Sequence, residues 1–404
     1  MNILVLNCGS SSLKYRLIEM PSEKELAGGE ARNVGPPTAS PPCIVHHSGK
    51  GEKNRMVNLP DHGKAFQEVM NLILEDNSHR PQALGHRVVH GGSLFTDPVI
   101  VEDKVLDALK GTRHLAPLHN PPAIALISAC RKMYPELPQV AVFDTAFHAT
   151  IPEYARTYAL PKSLAGPNGI RKYGFHGTSH QYVTGEAARF LGIPLEKFNA
   201  VSCHLGSGGA SLCAIVEGKS VDNTMGYSPI QGLVMSTRCG DLDPALVLYL
   251  LDQAGGNDKH LEKILNKRSG VLGLSGDSAE IRDVFTSLAK AENQDQRKSL
   301  TAQIYLWRIR KYLGAYLAVV GSANAVIFTD SIGENVPFVR WTVCTDMEDF
   351  GLKIDEQKNR NPGNLPADVA APESSVRIMV IKTNEELAIA RNIFNKLSGN
   401  GGKS

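Results

Sequence analysis

The chain opens on an apolar run, Ile3-Leu4-Val5-Leu6, followed by a polar knot, Asn7-Cys8-Gly9-Ser10-Ser11-Ser12. Leu13-Lys14-Tyr15-Arg16-Leu17-Ile18 then alternates in side-chain character. This pattern predicts two strands around a tight Gly/Ser turn. Apolar runs of strand length recur at Gln139–Phe143, Ala200–His204, Ser211–Val216, Ala325–Thr329 and Arg377–Ile381. Apolar positions at helical spacing predict helices over Lys64–Glu75, Val105–Leu109 and Ala123–Tyr134. The last of these is preceded by Pro121-Pro122, residues suited to a first turn. A helix over Glu385–Leu397 follows the final strand, and the Gly/Ser/Lys tail beyond it is expected to fray. Residues 28–55, rich in Gly, Pro and polar residues, read as an irregular excursion. Strands alternating with helices argue for an α/β protein. No repeat of solenoid period is visible, although two copies of a strand–turn–strand loop would escape simple self-matching.

Length and charge narrow the possibilities. A chain of 404 residues is too long for one core, and roughly two to three domains are expected. The 43 basic and 41 acidic residues nearly cancel, so there is no reservoir of positive potential for nucleic acid or an anionic membrane. A local basic cluster must therefore serve a small anion. The seven cysteines are scattered and never spaced CxxC, which suggests neither a disulfide framework nor a zinc site. No apolar run approaches the ~20 residues of a membrane span, and the first residues lack a signal-peptide pattern. The chain reads as cytoplasmic.

Candidate chemistry lies in short polar blocks at the ends of the apolar runs. In Asn7-x-Gly9-Ser10-Ser11-Ser12-x-Lys14 a glycine turn brings backbone N–H groups near an anion, hydroxyls add donors, and Lys14 adds a compact charge. Alone, the block is equally a Ser-rich hairpin. A Walker A loop is absent, since Gly218-Lys219-Ser220 has only its tail and Cys213 stands at the leading glycine position. Gly85-His86-Arg87-Val88-Val89-His90-Gly91-Gly92 sets a charged arginine among apolar neighbours, facing a cleft or forming a structural ion pair. Ala116-Pro117-Leu118-His119-Asn120-Pro121-Pro122 is a rigid loop presenting His119, which taken singly is an ordinary structural histidine. Phe143-Asp144-Thr145-Ala146-Phe147-His148 puts an acid at a strand end, where open α/β sheets place catalytic groups. Tyr173-Gly174-Phe175-His176-Gly177-Thr178-Ser179-His180 sets His176 among aromatics and glycines. His204-Leu205-Gly206-Ser207-Gly208-Gly209 is a second glycine turn between strands, and Thr237-Arg238-Cys239-Gly240-Asp241-Leu242-Asp243-Pro244 adds another arginine. Two phosphate hairpins, two loop arginines, a strand-end aspartate and several loop histidines are together the inventory of phosphoryl transfer, where catalysis is mostly positioning and neutralisation of moving charge.

Read together, these blocks resemble the acetate kinase family, within the acetate and sugar kinase/Hsp70/actin superfamily. Asn7–Lys14, Gly85–Gly92, Ala116–Pro122, Phe143–His148, Tyr173–His180, Thr237–Pro244 and Thr383–Leu387 stand in the family's order, over residue 1 to about 395. The resemblance implies two duplicated actin-like, ribonuclease H-like α/β domains with a cleft between them. They would comprise residues 1–146 plus 383–404, with the C-terminal helix returning to the first domain, and residues 147–382, carrying the donor site. It implies Mg2+-dependent (or Mn2+-dependent) phosphoryl transfer between ATP and acetate, giving ADP and acetyl phosphate, by a homodimer. Asn7, Ser10, Ser12 and Lys14 match the first phosphate motif. Arg87 and Arg238 match the arginines that hold the carboxylate and the moving phosphoryl. Asp144 and Glu385 match the acids that position substrate and metal, with Asn7 also on the metal side. His176 matches the histidine that stabilises the transition state, while His119 and His204 match supporting histidines. Val89, Leu118, Phe175 and Pro229 match positions enclosing the acetate methyl. A full-size valine at 89 favours acetate over propionate, as propionate-preferring relatives tend to carry a smaller residue there.

Departures from the family pattern cluster on the nucleotide side. In the second loop, formed with Gly206 and Gly208, Ser207 stands for an asparagine. The Gly-Gly-Ile-Gly-Glu-Asn loop appears as Asp330-Ser331-Ile332-Gly333-Glu334-Asn335. The adenosine-side Asp-x-Arg appears as Glu280-Ile281-Arg282. Replacing two glycines adds Cβ atoms and a carboxylate beside a polyanionic ligand. Pyrophosphate-using acetate kinases also deviate here, so pyrophosphate/orthophosphate as donor/acceptor is the alternative to ATP/ADP. Propionate kinase activity and a non-catalytic nucleotide-binding scaffold are further alternatives, the scaffold disfavoured because it has no use for a carboxylate site.

Overall fold

The computed structural model describes residues 1–36, 40–75, 79–117, 119–165, 169–290 and 295–399. The chain divides into two compact units, Met1–Ala146 with Asn384–Ser404, and Phe147–Thr383.

The first unit is built on an eight-stranded sheet. Its strands are β1 (Asn2–Cys8), β2 (Ser12–Glu19), β3 (Lys24–Arg32), β4 (Cys43–Ser48), β5 (Gly51–Met56), β6 (Ala83–Val88), β7 (Val99–Ile100) and β8 (Gln139–Phe143), in the order β5-β4-β3-β2-β1-β6-β8-β7. The first five form an antiparallel meander, while β6 and β8 run parallel to β1. Ile3 to Leu6 are buried on both faces of β1, which is why that run is apolar without alternation. Helices His62–Glu75 and Asn120–Met133 press Phe66, Val69, Ile73, Ala123 and Leu126 into one core with Leu4, Leu6 and Leu13. The returning helix Glu385–Leu397 packs on β1 and β6, and a Cβ at Gly85 would overlap Ile393 Cδ1, so that glycine admits the helix.

The second unit carries β9 (Ala200–Leu205), β10 (Ala210–Val216), β11 (Lys219–Asn223), β12 (Ala325–Thr329), β13 (Ala367–Asp368) and β14 (Arg377–Val380), in the order β11-β10-β9-β12-β14-β13. Here too an antiparallel meander leads to strands parallel to its first member. The run β3-β2-β1-β6-β8 therefore repeats as β11-β10-β9-β12-β14. This duplication is invisible to residue matching and plain in topology. The turns after β1 and β9 are equivalent, and both sit at carboxyl ends of parallel strands, where open α/β sheets bind ligands. Among the described residues, no helix is long and apolar enough to cross a membrane.

The expected irregular excursion over residues 28–55 is corrected. Most of it is strand, extending the meander to the edge of the sheet. Gly28 and Gly29 are required there: a Cβ at Gly29 would overlap the Val45 carbonyl and approach the Tyr15 hydroxyl. The strand β6 under the Arg87 block and the helices Pro244–Gln253, Asp258–Lys267, Ile281–Lys290, Gln296–Val320 and Pro337–Cys344 were not expected from the sequence pattern. The tail's last five residues, 400–404, lie outside the described residues.

Candidate active site

The candidate residues fall into two groups, one in each unit. In the first, Asn7 and Arg87 near the ends of β1 and β6, Asp144 follows β8, and Glu385 starts the returning helix. Three parallel strands and a helix start thus deliver four polar side chains to one place. The Arg87 fork donates to both carboxylate oxygens of Asp144, Nε to Oδ1 at 2.9 Å and Nη2 to Oδ2 at 2.7 Å. Its Nη1 donates to Asn7 Oδ1 at 3.2 Å and lies 3.4 Å from Glu385 Oε2. Burial works against the charge on Arg87, but Asp144 and Glu385 outweigh it and hold the guanidinium pKa above its ordinary value. Asp144 is 2% exposed, so this pairing is a fixed part of the unit rather than a surface contact.

The amide oxygen of Asn7 and the carboxylates of Asp144 and Glu385 form a hard donor set of the kind that suits Mg2+ or Mn2+. Among the described residues, no group of three or more His, Cys, Asp and Glu side chains gathers as a metal cage.

The Ser10–Ser12 turn is tight: Gly9 N–H donates to the Ser12 carbonyl at 2.9 Å, and a Cβ at Gly9 would stand 2.7 Å from Ser12 Oγ. Lys14 is exposed on β2 and pairs in register with Asn7. His62, which no sequence motif singles out, anchors this turn, its Nε2 donating to the Gly9 carbonyl at 3.0 Å. Burial lowers its pKa and keeps it a neutral donor. It carries no local signal because it lies on a helix fifty residues away. Val89 is half-buried immediately after β6. His119 stands at the N-cap position of the helix Asn120–Met133 without a side-chain capping bond, and the buried Asn120 ties that loop to both backbone groups of His90. Leu118 lies outside the described residues.

In the second unit, histidines and hydroxyls interlock. His176 sits at φ 58°, a left-handed conformation unusual for a non-glycine residue, just before the helix Gly177–Leu191. Its Nδ1 meets Ser211 Oγ at 2.9 Å, and the same hydroxyl meets His180 Nε2 at 2.8 Å. His180 is fully buried, and burial drives its pKa well below the ordinary value, so it is neutral. His204, near the end of β9, meets Ser179 Oγ through Nδ1 at 2.9 Å and lies 4.2 Å, ring to ring, from His176. Both rings stand by the second glycine turn. A Cβ at Gly209 would be 3.2 Å from His176 Nε2 and 3.6 Å from Arg238 Nη1, so that glycine leaves room where an imidazole and a guanidinium converge.

Arg238 differs from Arg87 in one respect. Its contacts are the Pro229 carbonyl at 3.4 Å and the Met235 sulfur at 3.7 Å, and no carboxylate pairs with it among the described residues. Burial lowers its pKa with nothing to offset it. A half-buried cation without an acid is a site for an anion. Phe175 is buried, with its carbonyl accepting from His148 Nε2 at 2.9 Å, and Pro229 is half-buried.

The segment that departs from the family pattern is held firmly. Asp330 has φ 65°, the conformation a glycine would adopt freely. Its N–H donates to Glu334 Oε1 at 2.8 Å, which also accepts from Thr383 N–H at 3.0 Å. Asn335 Nδ2 donates to the Ser331 carbonyl, and Gly333 is buried beneath. Arg340, another residue without a sequence signal, is completely buried and donates to the carbonyls of Gly333, Glu334 and Asn359. Burial lowers its pKa to about 10, and these carbonyls satisfy the guanidinium in place of an acid. Glu280 and Arg282 stand on the surface as a loose 3.5 Å ion pair. Among the described residues, no bond joins that pair to the glycine turn or to residues 330–335.

The sequence model of the acetokinase family matches residues 2–391. The acetate kinase of Acetivibrio thermocellus is 45% identical over 399 residues, which covers 97% of this chain and 98% of the relative. The crystal structure of Porphyromonas gingivalis acetate kinase matches with a TM-score of 0.90 at 37% identity, covering 98% of this chain and 99% of its own. That of a propionate kinase from Francisella tularensis matches with a TM-score of 0.88 at 39% identity, over 97% and 98% of the two chains. With its paired actin-like sheets and a match this long, the chain belongs to the acetokinase family, phosphotransferases with a carboxyl group as acceptor.

Proposed function

We propose that this protein transfers a phosphoryl group reversibly between ATP and acetate, with Mg2+, giving ADP and acetyl phosphate. The observation that carries the reading is Arg238: a half-buried guanidinium with no acid partner among the described residues, converging with His176 over Gly209. An acetate oxygen forms a new bond to the γ-phosphorus as the bond to the β-phosphate oxygen breaks, and negative charge spreads over the equatorial oxygens. Arg238 and His176 stabilise that charge. Arg87, oriented by the Asp144 fork, is assigned to the carboxylate and phosphoryl oxygens. Val89, Leu118, Phe175 and Pro229 are assigned to the acetate methyl. Ser10, Ser12, Lys14, His119, His204, Gly206, Ser207 and Gly208 are assigned to phosphate oxygens, and Glu280, Arg282, Asp330, Ser331, Gly333 and Asn335 to the nucleoside side. Asn7 and Glu385 would hold Mg2+, for which Mn2+ would serve; the metal offsets phosphate charge and is commonly held by one or two carboxylates plus substrate oxygens.

The seven cysteines are all free, which supports a reducing, cytoplasmic setting. Exposed Leu300 and Trp307 on the helix Gln296–Val320 support a homodimer that covers them.

A second reading keeps the acyl chemistry and replaces ATP/ADP with pyrophosphate/orthophosphate. It is favoured by Asp330 and Ser331, whose side chains meet the second glycine turn. A donor screen decides: purified protein with acetate and Mg2+, given ATP or pyrophosphate, with acetyl phosphate trapped by hydroxylamine. Product from ATP is expected. Product from pyrophosphate alone would replace the first reading with the second, and product from neither would sink both.

Val89→Ala should raise the propionate-to-acetate ratio of kcat/KM roughly tenfold, the value of about one methylene of pocket space. A ratio that does not rise removes Val89 from the acyl pocket.

A further inference from the structure

In the proposed function the glycine turn between β9 and β10 is the second phosphate cradle, and the role given to Asp330 rests on that reading. The cradle already holds an anion. A Cβ at Gly206 would overlap Asp330 Oδ2, so the carboxylate lies directly against the turn. Asp330 Oδ2 is 3.1 Å from His204 Nε2. The ring nitrogen therefore faces the carboxylate at ion-pair distance. On its other side, His204 Nδ1 lies 2.9 Å from the Ser179 hydroxyl, which is 2.8 Å from Thr383 Oγ1. The turn's other inward donor is taken by the next residue, with Ser207 N–H donating to Ser331 Oγ at 3.0 Å. Ser331 N–H donates to Asp330 Oδ1 at 2.6 Å. Two donors that could hold phosphate oxygens, Ser207 N–H and Ser331 N–H, are satisfied by side chains of residues 331 and 330, and His204 Nε2 faces the same carboxylate.

We infer that Asp330 is an internal stand-in for the donor's phosphate, which every phosphate ligand must displace before it can bind. The arrangement differs from simple steric filling. The carboxylate also sets a negative charge against the turn and His204, so the seat is filled by like charge as well as by bulk. Displacing Asp330 frees Ser331 N–H and uncovers His204 Nε2 together, while Ser207 N–H stays with Ser331 Oγ. Asp330 thereby sets a threshold: a ligand with concentrated charge, such as pyrophosphate, competes with it better than one phosphate group alone. Once displaced but still nearby, the carboxylate repels the bound phosphate.

Isothermal titration with inorganic phosphate, pyrophosphate and Mg-ADP, without acyl substrate, tests this on the wild type, Asp330→Asn and Ser331→Ala. Asp330→Asn keeps the shape and removes the charge, and each ligand should bind it at least about tenfold tighter, as expected for one like charge at close range. Ser331→Ala frees Ser207 N–H and should tighten phosphate by a smaller factor, giving an independent readout if the aspartate variant misfolds. Unchanged or weaker binding to a folded Asp330→Asn overturns the inference and leaves Asp330 with only the ligand-side role assigned above. If instead no phosphate compound binds the wild type or either variant, the assignment of this turn as a phosphate site falls with it. The donor screen reports separately on the reaction itself, since turnover can persist whatever the aspartate variant does to affinity.

Discussion

Arg238→Ala is expected to lower kcat by at least about 10²-fold, near 2.7 kcal/mol of transition-state stabilisation, with the fold intact. The magnitude follows from what surrounds the side chain. Arg238 has a carbonyl and a thioether for company, and burial lowers its pKa. The protein therefore bears the cost of a half-buried cation without a carboxylate to offset it, and removing that cation should leave stability unchanged or improved. Arg87 offers the contrast. Its fork is bound to Asp144 and flanked by Glu385, so Arg87→Ala would strand two acids, and loss of activity there would be mixed with loss of stability. Arg238→Lys separates charge from shape: a compact ammonium keeps the charge but loses the planar fork that fits trigonal phosphoryl oxygens. It should recover only part of the loss. Wild-type turnover by Arg238→Ala, with an unaltered thermal transition, would remove this residue from the reaction and with it the observation on which the proposed function rests.

What could be read from the sequence depended on whether a segment's chemistry is local. Gln139–Phe143, Ala325–Thr329 and Glu385–Leu397 were legible to the residue because each is bounded by its own turn or cap. The meander beyond β2 was not. The strand β5, Gly51–Met56, exposes nearly every side chain on both faces, so no alternation marks it, and β3 carries two glycines whose purpose lies in strands elsewhere. The helix Gln296–Val320 buries positions at regular helical spacing, but Arg308, Arg310 and Lys311 interrupt the apolar run, and their long stems conceal the period. At the site, residue identities were legible and partnerships were not. Nothing in the spacing foretold that Asp144 would occupy the fork of Arg87, that His62 would brace the first turn, or that Asp330 would reach the second. The departure of Asp330-Ser331 from glycine was visible, with its added bulk and carboxylate, but not where that carboxylate would lie. The structure sets it 3.1 Å from His204 Nε2, while Ser331 Oγ takes the Ser207 N–H.

Glu385→Ala should raise the Mg2+ concentration for half-maximal activity at least about tenfold and lower kcat at saturating metal about 10²-fold or more. Two effects act together. In the proposed reading the carboxylate is one of the hard oxygens offered to a divalent cation in the first unit, and it is also one of the acids offsetting the charge of Arg87, 3.4 Å from Nη1. Without it, the guanidinium presents more uncompensated charge beside the metal, so affinity falls through both a lost ligand and added repulsion. Asn384 caps the helix through its own side chain, accepting from Leu387 N–H, so the helix start should survive the substitution. Glu385→Gln distinguishes the two roles. It keeps a hydrogen-bond acceptor for Arg87 while removing the negative charge. If Glu385 serves the metal, the glutamine variant should need as much added Mg2+ as the alanine variant, and Mn2+ counted by electron paramagnetic resonance in the presence of ADP should bind correspondingly less tightly. If Glu385 serves only to orient Arg87, the glutamine variant should titrate with Mg2+ like the wild type and differ in kcat alone. An unchanged metal titration in both variants would show that the cation is held elsewhere in the chain.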